Sequence, residues 1–422
     1  MVRMVDLSAY RRLIHREWHA RLRTASGSET TYHRRWPVWQ HISPNQWYDW
    51  RWQWQHRLRS IHDLIRTGIL PEHDGRLDST VRRYPMLISP YYAVLMDLKD
   101  ARDPIRRQAV PDVAESRSTA LDPDPLDEAR LEAVPGLIHR YPDRALLLVT
   151  NVCTTFCRHC FRKRILSRAR VPTAVRNLSE IVHYIARHPE IRDVILSGGD
   201  PLILPSRVLA RILHRLREIP HVEVIRIGTR VPVTLPMRIA DPTLLRILDR
   251  YSPIWILTHF NHPREITLEA EAAVRLLLRV GAPVLNQTVL LHGINDRVCT
   301  MRTLLRRLIR IGVKPYYLHH PDPVDGTAHF RCTLEEGIAI MEGLRGHISG
   351  IAIPTYVVDL PGGGGKVPIQ PEYIVRRGTD SWILRNHRGE QFLYPNCPER
   401  SGHPIVSSAP FPDRRVSVHT KS

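Results

Sequence analysis

Three cysteines lie close together in the stretch TNVCTTFCRHCFRKR, residues 150–164, directly after an apolar run. Cys153, Cys157 and Cys160 have a C-x3-C-x2-C spacing. Three thiolates with no fourth nearby suit an iron-sulfur cluster in which one iron has no protein ligand and can bind another molecule. Zinc is an alternative, but closed zinc sites take four ligands and His159 is the only further donor close in sequence. A disulfide fits less well, because the number of clustered cysteines is odd and nothing marks the chain as exported.

A second unusual stretch is YVVDLPGGGGK, residues 356–366, in which four glycines follow a proline and precede Lys366. A flexible linker would be longer and rich in serine. A phosphate-binding P-loop needs a hydroxyl where this chain has Val367. The four glycines predict irregular backbone, and a lysine held there suits covalent chemistry with the carbonyl group of pyridoxal phosphate (PLP). Spacing alone leaves that interpretation open.

From about residue 135, short apolar runs alternate with amphipathic segments such as 208–216 and 304–311. This alternation predicts parallel strands joined by helices, an α/β fold. The expected strands are residues 145–150, 193–196, 222–227, 254–257, 284–290 and 315–318. In a barrel of such units, functional side chains lie on loops at the carboxyl ends of the strands, and the three cysteines follow the first strand.

Polar residues also occur at the ends of the other expected strands. They are Ser197, Gly198, Gly199 and Asp200 after the second strand, Arg230 after the third, His259 after the fourth, and Asn286 and Gln287 within the fifth. Each one taken singly has an ordinary explanation, since Gly-Gly-Asp is common turn chemistry and a polar side chain can be satisfied structurally. Several at matching strand ends predict a polar ligand pocket.

The remaining segments predict the domain organisation. Residues 1–115 are expected to form a mainly helical N-terminal arm, 116–134 a linker, and 371–422 a small C-terminal extension. In the arm, Trp47, Trp50 and Trp54 recur at helical spacing, which is typical of a packing face. Stacking on nucleic-acid bases is the functional alternative. The acidic stretch LDPDPLDEAR, residues 121–130, predicts a surface linker.

The charge balance of 61 basic and 42 acidic residues gives +19. Only five basic residues are lysines, and the arginines are spread over nearly every segment, so the charge does not form the clustered footprint of a nucleic-acid-binding protein. No targeting feature or apolar run of membrane-spanning length is present. Six cysteines, three of them clustered, suit a reducing compartment. We therefore expect a cytoplasmic protein that binds neither membrane nor nucleic acid.

The C-x3-C-x2-C spacing matches the radical S-adenosylmethionine (SAM) enzymes, and the chain more closely resembles lysine 2,3-aminomutase. The resemblance covers about residues 45–390. The stretches that carry it are 47–57, 135–144, 153–164, 196–200, 259–263, 315–331, 344–350 and 354–366. It implies a partial (β/α)6 radical SAM barrel over residues 135–370. It also implies a 4Fe-4S cluster on the three cysteines, SAM on the open iron, and PLP on Lys366.

The resemblance further implies roles for single residues. Lys366 is expected to anchor PLP, with Arg140 and Arg144 on its phosphate. Arg162 is expected to bind the substrate α-carboxylate, and Asp322 and Asp359 to bind the distal ammonium of lysine. Relatives acting on glutamate carry non-acidic residues at these two positions. The expected contacts to SAM are Ser197, Gly198, Gly199, Asp200, His259 and Gln287.

One departure from the family concerns its structural zinc, which is held by clustered cysteines near the C-terminus and one from a neighbouring subunit. Here the loop position is Arg297, with Cys299 two residues later, and the tail has only Cys397 and His403. We therefore expect no structural zinc of that kind. A homo-oligomer and an electron donor such as flavodoxin or ferredoxin remain expected.

The favoured hypothesis is an isomerase that converts L-lysine to β-lysine by moving the α-amino group to the β-carbon. The alternatives are the same chemistry on arginine or glutamate, a radical SAM enzyme that modifies RNA, and a non-enzymatic iron-sulfur sensor. The last two need no Lys366.

Overall fold

A computed structural model describes residues 7–24, 32–117, 121–166 and 174–396 of the chain. Two compact units divide it, Met1–Pro371 and Glu372–Ser422. Within the described residues, no helix combines the length and apolar character needed to cross a membrane.

The first unit is built on one sheet. Its strands are β1 (Glu132–Val134), β2 (Leu137–Tyr141), β3 (Arg144–Thr150), β4 (Asp193–Gly198), β5 (Val224–Gly228), β6 (Trp255–Thr258), β7 (Val284–Val289), β8 (Lys314–His319), β9 (Thr355–Leu360) and β10 (Gly365–Pro368). Their order in the sheet is their order in the chain. Strands β3 to β9 are mutually parallel, whereas β1 and β2 at one edge and β10 at the other are antiparallel. Strands β1 and β10 do not pair, so the barrel is open.

The helices of the first unit are α1 (Leu7–Ile14), α2 (Ala20–Thr24), α3 (Pro44–Trp47), α4 (Trp50–Gln55), α5 (Ile61–Arg66), α6 (Arg76–Arg83), α7 (Pro90–Ala93), α8 (Pro104–Ala109), α9 (Lys163–Leu166), α10 (Leu178–Ala186), α11 (Ser206–Arg217), α12 (Val231–Thr234), α13 (Pro242–Arg250), α14 (Leu268–Arg279), α15 (Val298–Arg310) and α16 (Leu334–Leu344). A π-helical turn, His15–His19, joins α1 to α2. The connecting helices bury one apolar stripe against the sheet, as in α11, where Leu209, Ile212, Leu213 and Leu216 are buried.

The six strands expected from the sequence are β3 to β8. The structure adds a seventh parallel strand, β9, and the hairpin strand β10, in the stretch where irregular backbone was expected. Only Pro361 to Gly364 form the turn, and Gly362 and Gly363 adopt φ of 63° and 81°, which favours glycine. The glycine run is therefore a hairpin turn between two strands.

The tryptophan stripe of the arm is not one continuous helical face. Helix α3 ends at Trp47, and the Asp49 side chain caps α4 by accepting from the Arg51 amide at 2.8 Å. Trp47 is buried, whereas Trp54 is only partly buried and lies under the Arg57 guanidinium, 3.3 Å from the ring centroid. A packing role therefore holds fully only for Trp47.

The second unit contains an antiparallel sheet of β11 (Ile374–Arg377), β12 (Ser381–Arg385) and β13 (Gln391–Pro395). Its outer strand is exposed, including Phe392, Leu393 and Tyr394. Cys397 and His403, considered above as zinc ligands, lie outside the described residues.

Candidate active site

The three cysteines lie in the loop after β3 and are held by the N-terminal arm. The Phe156 amide donates to the Leu87 carbonyl at 2.8 Å, and the Arg158 amide donates to the Gln108 carbonyl at 2.9 Å. None of the three cysteines forms a disulfide, and each residue is partly exposed. Burial raises the pKa of the Cys160 thiol to about 11. Such thiols ionise when a metal displaces the proton, which is the behaviour expected of cluster ligands.

A buried carboxylate fixes the helical turn that follows the cysteines. Glu115 is fully buried and accepts from Arg158 Nη2 at 2.6 Å and from Lys163 Nζ at 2.7 Å. Lys163 also donates to the Gly326 carbonyl at 2.7 Å. Burial favours the neutral acid, but the two cations outweigh it and hold the pKa of Glu115 below its ordinary value. The arm, the cysteine loop and the loop after β8 therefore meet at one compensated charge cluster.

Arg230, at the end of β5, faces the cysteines. Its Nη1 lies 2.8 Å from Cys157 Sγ, and its Nη2 donates to Glu265 at 2.6 Å. Arg230 is almost fully buried. A fixed cation at this position offsets negative charge, so the donor set and its surroundings fit an anionic iron-sulfur cluster.

The glycines after β4 allow two backbone segments to approach closely. A Cβ on Gly199 would lie 2.2 Å from the Val152 carbonyl oxygen, and one on Gly198 2.4 Å from that of Thr150. The expectation was that these glycines admit a ligand. In the structure they admit the cysteine loop itself.

The Asp200 carboxylate is engaged by the protein. It accepts from the Thr229 hydroxyl at 2.6 Å, the Arg230 amide at 2.7 Å and the Leu202 amide at 3.1 Å. Burial is the main reason that its pKa rises to about 6, against the effect of these donors. Asp200 thus joins the loops after β4 and β5, and any contact with SAM competes with these hydrogen bonds.

His259 directly follows the end of β6, and Gln287 lies within the neighbouring strand β7. Along β7 burial alternates, and Gln287 lies on the partly exposed face with Leu285 and Val289. Burial, with a smaller effect of the nearby His319 and Arg230, lowers the pKa of His259 to about 3. His259 is therefore a neutral imidazole at physiological pH.

The β9–β10 hairpin brings together two residues seven positions apart. Lys366 pairs directly with Asp359 in the antiparallel register. Its Nζ lies 2.9 and 2.8 Å from the two Asp359 carboxylate oxygens. Asp359 is buried, yet His319 and Lys366 overcome the effect of burial and hold its pKa well below the ordinary range.

Arg140, on β2, reaches across to this hairpin. It donates through Nη1 to Asp359 at 3.2 Å and through Nε to the Gly363 carbonyl at 3.1 Å. Its Nη2 is buried and has no hydrogen-bond partner among the described residues. An unsatisfied guanidinium nitrogen next to the ion pair of Lys366 and Asp359 fits an anionic cofactor such as PLP.

Arg144 is the first residue of β3, the strand that follows β2. It pairs with Asp143 at 3.0 Å, and its guanidinium lies 4.3 Å from the centroid of the Tyr141 ring. The Tyr141 hydroxyl accepts from the Lys366 backbone amide at 2.8 Å. Arg144 is therefore linked to the lysine hairpin through Tyr141.

Asp322, in the loop after β8, is a second carboxylate near Lys366. It has no side-chain hydrogen bond among the described residues. Its pKa is raised to about 7, first by burial and then by the charge of Asp359, while Lys366 and Arg140 oppose the rise. The structure thus brings Asp322, Asp359 and Lys366 together. Of the two carboxylates, Asp322 is the one that forms no salt bridge among the described residues.

Arg162 is buried, and Glu128 occupies one side of its guanidinium. Glu128 accepts from Nε at 3.0 Å and from Nη2 at 2.7 Å, while Nη1 donates to the Ser197 hydroxyl at 2.9 Å. A guanidinium has five N–H donors, so these contacts leave one hydrogen on each terminal nitrogen. Those two hydrogens could still bind a carboxylate end-on.

Several residues of this site were not predicted from the sequence. Glu128 lies in the acidic segment expected on the surface, but it is buried because Arg162 and Arg164 pair with it. His319 lies at the end of β8, 3.8 Å from Asp359. Tyr141 contacts the Lys366 backbone. A strand-end histidine and a tyrosine inside the HRYPDR motif were available signals, whereas nothing local distinguishes Glu128 from a surface acid.

Comparisons with known proteins agree with this geometry. The family model described as the radical SAM superfamily matches residues 147–305, and the one described as lysine-2,3-aminomutase matches residues 341–409. L-lysine 2,3-aminomutase of Clostridium subterminale is 45% identical over 84% of this chain and 86% of its own length. The enzyme of the same name from Bacillus subtilis is 43% identical over 90% of this chain and 85% of its own.

A relative named for a different substrate is glutamate 2,3-aminomutase of Clostridioides difficile, which is 41% identical over 82% of each chain. The expected radical SAM fold is confirmed by the superfamily match, as an open barrel. The chain therefore belongs to the lysine 2,3-aminomutase family of radical SAM isomerases, which use a 4Fe-4S cluster, SAM and PLP.

Proposed function

We propose that this protein moves the α-amino group of L-lysine to the β-carbon and so forms β-lysine. The observation that carries the proposal is the pair of carboxylates beside Lys366. Asp359 is close enough to raise the pKa of Asp322, and Asp322 forms no salt bridge among the described residues. A carboxylate without a salt-bridge partner is stabilised by a cation from outside, and the side-chain ammonium of lysine supplies one.

When bound, the cluster with SAM supplies a radical that removes hydrogen from an unactivated carbon, and PLP holds the nitrogen that migrates. The cluster belongs on Cys153, Cys157 and Cys160, with Arg230 balancing its charge. We assign the SAM region to residues 197–200 with His259 and Gln287. Because the Asp200 carboxylate is already used, its backbone is the better candidate for contact.

For PLP, Lys366 provides the nucleophilic amine. Arg140 offers to the phosphate its Nη2, which has no hydrogen-bond partner among the described residues. Arg144, which packs on the Tyr141 ring, is assigned to the same phosphate. Lys366 and Arg140 both pair with Asp359. A substrate ammonium competes with them for that carboxylate, whereas Asp322 has no such competitor.

Arg162 is assigned to the α-carboxylate. Glu128 fixes the plane of its guanidinium through hydrogen bonds from Nε and Nη2, and with Nη1 donating to Ser197 one N–H remains on each terminal nitrogen. The α-carboxylate and the side-chain ammonium would thus bind at separate charged groups and hold the carbon chain between them. Such orientation reduces the entropy cost of the reaction.

The charge pattern also ranks the substrates. Glutamate would bring a second carboxylate toward Asp322 and Asp359, and like charges in a buried site oppose binding. Arginine has the required positive charge but a longer, planar head group. We therefore expect the order lysine, arginine, glutamate.

The test is turnover by anaerobically reconstituted protein supplied with SAM, PLP, dithionite and one amino acid at a time. Products are separated by chromatography and identified by mass spectrometry against 3-amino standards. We expect β-lysine as the main product. Formation of β-glutamate at equal or greater rate, or no 3-amino product from any substrate, would contradict the proposal.

Borohydride labelling with peptide mapping separates this function from an RNA-modifying enzyme or an iron-sulfur sensor. Protein with bound PLP is reduced with borohydride, digested and mapped. Label on Lys366 is expected only for a PLP enzyme. Tight RNA binding with no label at Lys366 would favour the RNA-modifying alternative.

We also propose a homo-oligomer, an electron donor such as flavodoxin or ferredoxin, and a cytoplasmic location. The support for the electron donor is that the cluster must receive an electron from outside. The support for the location is that the cluster survives best in a reducing compartment.

A further inference from the structure

Three potential metal ligands meet outside the active site. They are His292 and Asp296, in the loop between β7 and α15, and Cys332, just before α16. Their ligand atoms all lie within 4.8 Å of one another. The three side chains supply nitrogen, oxygen and sulfur, a donor set suited to zinc and similar divalent transition metals.

The loop that carries His292 is rigidly held. The His292 amide donates to the Phe330 carbonyl at 2.9 Å, so this loop is tied to the one that carries Cys332. Within it, Asn295 Nδ2 donates to the Asn261 and Val289 carbonyls, each at 2.8 Å. Fixed backbone limits the entropy lost when side chains bind a metal.

The side chains are also placed appropriately. His292 Nδ1 lies 3.1 Å from Asp296 Oδ2, a separation compatible with two ligands of one ion. Asp296 uses Oδ2 to accept from the Gly293 amide at 2.7 Å, an outer contact that orients the carboxylate. Cys332 is buried and has no hydrogen-bond partner among the described residues, whereas His292 is largely exposed and gives access from solvent.

We propose that His292, Asp296 and Cys332 bind one divalent transition metal ion, with zinc as the best fit. The ion replaces the proton of the Cys332 thiol, and the proton is released to solvent. Water completes the fourth position. Because the loop from β8 to α16 carries both Cys332 and Asp322, the ion would join that loop to the β7–α15 loop. This site uses neither Arg297 nor the tail residues Cys397 and His403.

The test measures zinc in holoenzyme whose iron-sulfur cluster is fully loaded, so that the cluster cysteines are not free. Protein is incubated with zinc, passed through a desalting column and analysed by mass spectrometry for zinc and iron. We expect about one zinc per chain in the wild type and a loss of at least about fivefold in Cys332→Ser and in His292→Ala. The His292 change is at an exposed side chain, so it tests the site without disturbing the core.

Matched controls decide where any zinc lies. Cys299→Ser changes an exposed cysteine close to the loop but outside the trio, and it should keep its zinc. Cys397→Ser should also keep it. Wild-type protein without zinc, or zinc that survives both Cys332→Ser and His292→Ala, would overturn the proposal. Zinc lost only in Cys397→Ser would overturn it as well, by assigning the metal to the tail.

The ligand set gives an independent readout. X-ray absorption at the zinc edge should show one sulfur neighbour, with the rest nitrogen and oxygen. Three or four sulfur neighbours would contradict the assignment. Addition of zinc should raise the Tm of the wild type and leave that of His292→Ala unchanged.

Discussion

The cysteine loop and the β9–β10 hairpin carry the two halves of the expected chemistry, and they differ in how their charges are compensated. Around the cysteines, Glu115 is paired with Arg158 and Lys163, and Arg230 with Glu265. Around Lys366, in contrast, and within the part of the chain that the structure describes, Arg140 Nη2 has no hydrogen-bond partner and Asp322 forms no salt bridge.

The difference indicates which groups each region offers to a ligand. In the cysteine region, these charged side chains pair with one another, so the groups to be added there are metal and sulfide. The hairpin region contains charges that ligands would complete, namely an anion for Arg140 and a cation for Asp322. Buried groups that lack partners favour binding, because a ligand removes their desolvation penalty. We therefore expect mutations in the cysteine region to affect folding and cluster retention. Mutations in the hairpin region should affect the binding of PLP and substrate.

The largest effect should come from Lys366→Ala, which removes the amine assigned to PLP. Turnover should fall by about a thousandfold or more, as is usual when a covalent catalyst is lost. Activity is measured with lysine under anaerobic conditions, and iron content should be unchanged. Lys314→Ala is the matched control, because Lys314 donates to the Ile351 carbonyl away from the site. Equal losses in both variants would contradict the assignment.

The next effect concerns the cysteine region. Glu115→Gln removes the partner of two buried cations and should lower the free energy of unfolding by about 3–5 kcal/mol. Iron bound per chain should also fall. The control is Glu223→Gln, which breaks the exposed pair with Arg192 and should cost less than about 1 kcal/mol. Similar denaturant midpoints for the two variants would show that the buried cluster is not a structural anchor.

A smaller and more selective effect is expected for Asp322→Asn. The KM for lysine should rise about 10- to 100-fold, since a charged contact is worth about 1.5–3 kcal/mol. PLP and iron content should stay at wild-type levels. Asp325→Asn changes a neighbouring acid that binds the Tyr84 hydroxyl at 2.8 Å instead, and its KM should stay within about threefold. A normal KM in Asp322→Asn would remove the charge argument for lysine.

The smallest effect is a pH dependence of lysine binding. Asp322 has a pKa of about 7, raised by burial and by Asp359 and Glu128 and opposed by Lys366 and Arg140. Below that pH it is protonated and neutral, so it cannot attract an ammonium. The Kd of lysine for oxidised holoenzyme should therefore rise about tenfold from pH 8 to pH 6. The same slope in Asp322→Asn would assign the titration to another group.

Sequence reasoning was most accurate where one local signal carries the information. The strands β3 to β8 follow from apolar runs, and the cysteine loop follows from its spacing. The strands β9 and β10 were missed because four glycines suggested irregular backbone, although only the turn needs them. Glu128 could not be found, since its burial depends on Arg162 and Arg164, which are more than thirty residues away. Long-range pairing of charges leaves no periodic trace in the sequence.

The open sheet has one further consequence. Its two edges are brought together by Arg140, which reaches Asp359 and Gly363, and by the Tyr141 hydroxyl, which accepts from the Lys366 amide. The proposed PLP pocket therefore coincides with the seam where the barrel fails to close. Cofactor loading and the rigidity of that seam should be thermodynamically linked, so amide hydrogens of residues 359–366 should exchange more slowly once PLP is bound.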